Sequence, residues 1–295
     1  MTAPAFGGPR RSARLPIVRE LKARGATDYA GAALEFSDAT RHFASWATDR
    51  PGGFTTGELD MLNALLPLLS VRLEVAHSRR ITQQLLTTYL GNEATRRIMS
   101  GEFRRSLGED ISAVIFYCDL RGFTRMTDIL TPGEIIAVLG EYFDAVAGAV
   151  SARGGDIIEM IGDGMIAIFR VTDSFNLERA AAEALEAARE AMAALLAVPS
   201  SRLPQNIENL RAGFALNVGQ VTFGNIGSRD RLDFTVIGPA VNEASRIEPM
   251  TKVLGQPILM TDAFAKLSRD PAIRSLGFQV LRGVREPHEI FALVE

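Results

Sequence analysis

Ile111-Ser112-Ala113-Val114-Ile115-Phe116-Tyr117-Cys118-Asp119-Leu120-Arg121-Gly122-Phe123-Thr124 constrains the architecture of this 295-residue chain more than any other stretch. From Ile111 to Cys118 it is apolar almost throughout, the pattern of a central strand covered on both faces. Asp119 ends the strand. Gly122 then lets the backbone turn tightly and leaves amide N–H groups free, a cradle suited to phosphate.

Downstream, Thr131 and Glu134 form a capping box with Pro132 at the first helical position, and Ile135, Ile136, Leu139, Tyr142, Phe143 and Val146 recur at helical spacing. Ile157 to Met160 and Met165 to Phe169 read as two strands joined by Ile161-Gly162-Asp163-Gly164, and Asn176 to Ala197 as an alanine-rich helix. Arg211 to Val218, Val221 to Asn225 and Leu232 to Ile237 read as strands and Pro239 to Glu248 as a helix. Phe278 to Leu281 and Ile290 to Val294 close the chain as strands. This order predicts an α/β (α+β) domain, a ferredoxin-like β-α-β-β-α-β sandwich with extra strands.

Upstream, Tyr29 to Phe36 and Arg41 to Thr48 read as strands, followed by a Pro51-Gly52-Gly53 turn and a helix opened by Thr55 and Glu58, with a kink expected at Pro67. This strand, strand, helix unit looks like the C-terminal half of a GAF-type sensor domain. A second helical pattern from Ile81 to Ser100 places Ile81, Leu85, Leu86, Tyr89 and Leu90 on one side, able to pair between subunits or to pack on its own domain. The expected organisation is a partial sensor segment over 1–78, a helical linker over 79–110 and a catalytic domain over 111–295.

Composition removes several function classes. An apolar content of 47% excludes disorder, and a single cysteine, Cys118, excludes an internal disulfide and thiolate zinc sites. His42, His77 and His288 are too far apart in sequence for a local ligand pair. Lys22, Lys252 and Lys266 are the only lysines, none within a Gly-Lys-Ser/Thr, so a Walker-type loop is absent and any grip on phosphate must come from arginine, backbone or metal. Residues 1–110 carry 15 basic and 12 acidic side chains and the rest 17 and 23, with no basic stripe, so nucleic acid is not the expected partner. The apolar stretch Leu59 to Val75 is interrupted by Asp60, Asn63, Pro67 and Arg72, and Met1 to Pro16 has no apolar run behind its arginines. The expectation is a cytoplasmic protein with no membrane partner.

Asp163 at a hairpin tip beside the strand that ends in Asp119 would set two carboxylates across neighbouring strands, suited to one or two Mg2+ ions. Each has a plainer reading, since Asp-Gly is the preferred type I′ turn and an aspartate often caps a strand end. Asn242 and Arg246, four apart on one helix, share a face and together could orient a sugar and neutralise a phosphate, or could each be solvated surface residues.

The runs Phe116 to Thr124, Ile161-Gly162-Asp163-Gly164, Gly224-Asn225-Ile226-Gly227 and Asp233 to Gly238 leading into Val241 to Arg246 resemble, in order and spacing, the class III adenylate and guanylate cyclases. The resemblance covers roughly 111–294, and Tyr89 to Glu109 looks like the helical transducer such cyclases carry. It implies that Asp119, Asp163 and the carbonyl of Leu120 hold two Mg2+ or Mn2+ ions per site, and that the turn Gly122-Phe123-Thr124 binds the triphosphate. By the same resemblance Asn242 orients the ribose and Arg246 stabilises the transition state. Arg282 stands where a phosphate-binding lysine is usual, keeping the charge with a different fork geometry. The implied reaction is attack of the ribose 3′ oxygen of ATP or GTP on the α-phosphorus with loss of pyrophosphate, in a twofold homodimer whose sites are composite.

By the same resemblance, Glu159 and Thr235 fall at the two base-reading positions. Guanine offers N1–H and N2–H2 to an ionised glutamate, and Thr235 can donate to O6, whereas adenine N1 would face a carboxylate with no proton between them. Most bacterial relatives are thought to use ATP, and a solvated Glu159 would remove the objection, so the purine stays open. A diguanylate cyclase is excluded because Ile157-Ile158 follow Gly154-Gly155-Asp156 where Glu-Phe should stand. The remaining alternative is a catalytically weak nucleotide-binding or dimerisation module.

Overall fold

The computed structural model describes residues 16–102, 108–172, 176–228, 231–283 and 286–294, and the chain divides into two units after Leu85. In the first, a helix α1 (Pro16–Ala23) precedes the antiparallel hairpin of β1 (Asp28–Glu35) and β2 (Arg41–Thr48). Helix α2 (Thr56–Leu90) opens as expected, with Thr55 N donating to Glu58 Oε2 at 2.8 Å and Glu58 N to Thr55 Oγ1 at 3.3 Å. It runs 35 residues through Pro67 and unites what the sequence divided into two helices. His42 and His77, distant in sequence, meet here with ring centroids 5.2 Å apart.

No residue of α2 is buried. Met61, Leu68, Val71, Val75, Leu85 and Tyr89 recur at the alternating three-and-four spacing of a heptad seam, and all are exposed, Tyr89 at 81%. Leu62, Leu66 and Leu69 on another face are half-buried.

The second unit begins with the rest of α2 and α3 (Asn92–Met99), then β3 (Gly108–Leu120), α4 (Phe123–Ile129), α5 (Pro132–Ala152), β4 (Asp156–Ile161), β5 (Gly164–Arg170) and α6 (Leu177–Leu196). It continues with β6 (Ala212–Gly227), β7 (Leu232–Ile237), α7 (Pro239–Ile247), α8 (Met250–Val253), β8 (Ile258–Thr261), α9 (Asp262–Ala265), β9 (Ile273–Gln279) and β10 (His288–Leu293). The sheet order β4-β5-β3-β6 is that of a ferredoxin-like unit, with β8-β10-β9 added beyond β6 and β7 paired to its far end. Within the described part of 79–110, α2 straddles the division and α3 belongs to the second unit.

The central strand is covered on both faces. Val114, Phe116, Cys118 and Leu120 join a core under α5 and α6, while Ala113 and Ile115 face a second core with Val236, Ala240 and Ala244. By the period-two rule Asp119 emerges on the side of α7. Helix α5 carries the expected capping box. It, rather than 59–75, is long and apolar enough to cross a membrane, yet Val138, Tyr142, Val146 and Val150 pack into the core.

Helix α7 is fixed by one buried amide. Asn217, 1% exposed, donates to Ala240 O at 2.9 Å and Glu243 Oε2 at 3.0 Å, and accepts from Thr261 Oγ1 at 2.7 Å. His288 completes the chain through Glu243 at 2.6 Å. Asn217→Ala strands several buried groups and is expected to cost about 2–4 kcal/mol, read from chemical denaturation midpoints.

Helix α3 is held by charge. Burial acts to raise the Glu93 carboxyl, but hydrogen bonds from Arg96, Arg97 and Arg170 outweigh it and hold the group at about 2, below its ordinary 4.5. A depressed carboxylate stabilises fully above its unfolded pKa and loses that contribution as pH falls through the folded value. The stability difference between wild type and Glu93→Gln is therefore expected to be constant above about pH 5 and to close as pH falls to about 2, measured by urea unfolding at each pH.

Candidate active site

Pairing of β3 with β5 sets Asp119 opposite Gly164, and Leu120 N donates to Asp163 O at 3.2 Å, so the tip of the β4–β5 hairpin sits beside the end of the central strand. Asp119 and Asp163 are both half-buried. Burial, then the nearby Asp163 and Glu248, push the Asp119 carboxyl up to about 6, with Lys252 in partial opposition. Two crowded carboxylates beside a backbone carbonyl at Leu120 form an oxygen donor set suited to a hard divalent cation such as Mg2+ or Mn2+. A third His, Cys, Asp or Glu does not join them in a metal-ligating group among the described residues.

Gly122 adopts φ 77°, ψ 13°, in the left-handed region, and α4 starts at Phe123. The first-turn amides of Phe123 and Thr124 therefore have no intrahelical acceptor, as the glycine-bearing turn predicts. The sequence read a turn here and missed the seven-residue helix that follows it.

Asn242 and Arg246 lie exposed on one face of α7, and neither side chain has a hydrogen-bond partner among the described residues. Arg246 Nη2 would lie 3.9 Å from a Cβ at Gly283, which brings it beside the loop bearing the exposed Arg282. At the edge of the sheet, Thr235 Oγ1 donates to Glu159 Oε2 at 3.4 Å, so the two base-reading candidates converge. A bulge in β4 between Ile157 and Glu159 shifts the register just ahead of that carboxylate.

Glu248 was not singled out in the sequence. It follows α7 and is 2% exposed, with its carboxyl raised by burial and opposed first by Arg121. Gly213, the cross-strand partner of Asp119, makes room for it: a Cβ there would collide with Glu248 Oε1 and Thr251 Oγ1 and lie 3.0 Å from Arg121 Nη2. The available signal was position, since residue 248 continues the buried 240, 244 face at helical spacing.

Residues 109–291 match the family described as adenylate and guanylate cyclase catalytic domain. Adenylate cyclase 1 of Rhizobium meliloti strain 1021 is 31% identical over 70% of this chain and 31% of its own length. The crystal structure of the adenylyl cyclase CyaB from P. aeruginosa superposes with a TM-score of 0.57 at 25% identity, covering 64% of this chain and 96% of that one. The guanylyl cyclase Cya2 superposes with a TM-score of 0.54 at 30% identity, covering 63% and 93%. The chain spans about a third of the length of the curated relatives it matches. With the matched segment running from the start of the central strand into the last one, the chain belongs to the adenylate and guanylate cyclase catalytic-domain family.

Proposed function

We propose that this chain converts a purine nucleoside triphosphate to its 3′,5′-cyclic monophosphate and pyrophosphate in the cytoplasm, as a homodimer. The observation that carries the reading is the half-buried Asp119–Asp163 pair, where burial first and the neighbouring carboxylate second raise the Asp119 carboxyl, a setting suited to a cation. Asp119, Asp163 and the Leu120 carbonyl would hold one or two Mg2+ or Mn2+ ions, which when bound lower the pKa of the ribose 3′ hydroxyl and neutralise the phosphates.

The remaining roles belong to the chain's own groups. The Phe123 and Thr124 amides donate to the triphosphate, with Arg282 adding charge. Asn242 orients the ribose, and Arg246 meets negative charge as it develops at the α-phosphate. The partnerless, exposed state of Asn242 and Arg246 supports their serving the partner subunit's nucleotide. The exposed apolar seam on α2 supports pairing of two copies.

Relatives named for each purine match the chain, so Glu159 and Thr235 carry the choice. Their convergence favours GTP, whose N1–H, N2–H2 and O6 complement an acceptor and a hydroxyl. The second reading, ATP, is supported by the adenylate cyclase names of two of the curated relatives, those of Rhizobium meliloti and Anabaena cylindrica. Turnover of ATP and of GTP, each with Mg2+ and Mn2+, tests the reading. It expects one cyclic nucleotide, and a folded dimer that makes neither under any condition overturns it.

A further inference from the structure

Helix α3 is joined to the catalytic sheet more firmly than a surface helix requires. Arg97 is 9% exposed, with Nε on Glu93 Oε1 at 2.9 Å and Nη2 on Glu109. Its guanidinium lies 5.1 Å from the Phe223 ring and 5.9 Å from that of Phe234, which themselves pack edge to face at 4.7 Å. Arg170, at the end of β5, reaches Glu93 Oε1 at 2.6 Å and covers Phe223 at 5.1 Å. Taking such charges out of water is costly unless they are paired, so the ion pairs of this cluster favour the seating of the helix that keeps them, Arg170 Nε being left without a partner among the described residues.

That seating abuts residues that immediately precede both base-reading candidates, Ile157 and Ile158 ahead of Glu159 and Phe234 ahead of Thr235. Gly91, at φ 82°, carries the chain into α3, and a Cβ there would stand 3.1 Å from the carbonyl oxygen of Ile157. Thr95, 3% exposed, fixes the turn by donating to Gly91 O at 2.7 Å. Ile157 begins the bulge that precedes Glu159, and bulges beside active sites re-aim the side chains that follow them. On the other strand, Phe234 under Arg97 is the residue before Thr235. Leu90 and Ala94 line a small cleft with Ile158 and Phe234.

We propose that α3 is the positioning element of the base-reading pair: Gly91 against the β4 bulge and Arg97 over Phe234 set the separation of Glu159 and Thr235, and purine selectivity follows the seating of α3. The inference rests on the cyclase reading and adds a specificity determinant outside the nucleotide site. Gly91, Glu93, Arg97 and Arg170 act through β4 and β7 and touch no substrate.

The test uses the full chain with Arg97→Met, Arg97→Lys and Gly91→Ala. Three quantities are read: the GTP to ATP ratio of kcat/KM, the ratio of dissociation constants for non-cyclisable GTP and ATP analogues, and the Mn2+ activation midpoint. Arg97→Met and Gly91→Ala are expected to shift both ratios by about fivefold or more, Arg97→Lys by less, with the Mn2+ midpoint unchanged. Gly91→Ala removes no ion pair and serves if Arg97→Met does not fold. Folded variants with wild-type ratios overturn the inference, as does a Mn2+ midpoint that moves together with the ratios. A wild type that binds the analogues selectively but cyclises neither nucleotide refutes the cyclase reading alone, because the binding ratios still test α3. One that binds neither overturns both.

Discussion

Asp119→Asn is expected to lower cyclic nucleotide formation by about a thousandfold or more while the protein folds and dimerises normally. Asparagine keeps the shape and removes the charge that the metal site needs. It also removes a charge that burial first, and the neighbouring Asp163 and Glu248 second, disfavour enough to hold the Asp119 carboxyl at about 6, so the variant is expected to be more stable than wild type in metal-free buffer near neutral pH. Arg246→Ala should be as inactive, for loss of transition-state charge. The decisive measurement mixes the two. In a heterodimer one site holds both lesions and the other neither, so random exchange of subunits should recover about a quarter of wild-type activity. Recovery sinks the idea that each site is confined to one chain. No recovery after confirmed exchange sinks the composite site.

Glu159→Lys combined with Thr235→Asp should lower the GTP to ATP ratio of kcat/KM by about 10- to 100-fold. The pair presents an acceptor and a hydroxyl within 3.4 Å of each other, and a lysine ammonium in place of the carboxylate would face guanine's donors with a donor of its own. Adenine N1, an acceptor, would gain a partner. An unchanged ratio in a folded, active variant would show that these residues do not read the base.

Elements that bury one long apolar face were legible from sequence, because periodicity and capping signals coincide there; α5 and the β3 strand are the clearest cases. A glycine that serves packing rather than turning leaves no such signal. The two strands read at 211–218 and 221–225 are one, β6, which runs straight through Gly219, where a Cβ would stand 2.8 Å from Ala240 Cβ. The glycine admits α7. Short elements lack the length for a pattern, so α4 and the four-residue β8 went unseen, and β9 was placed at 278–281 instead of Ile273–Gln279. At the site, Asp119, Asp163, Asn242 and Arg246 were visible as residue types at motif spacing. Glu248 was not, because a buried charge announces itself only through partners supplied by distant strands.

The pairing of β3 with β6 bears on how the chain is made as well as on what it becomes. Residues 108–120 must wait for residues 212–224 before the middle of the sheet can close. At a synthesis rate of about 5–20 residues per second, the ribosome holds β3 without its central neighbour for roughly 5–20 s. During that interval β5 pairs with one edge of β3 while the edge that will pair with β6 stays open. Aggregation during translation, and dependence on chaperones, should therefore concentrate on nascent chains that end between β5 and β6.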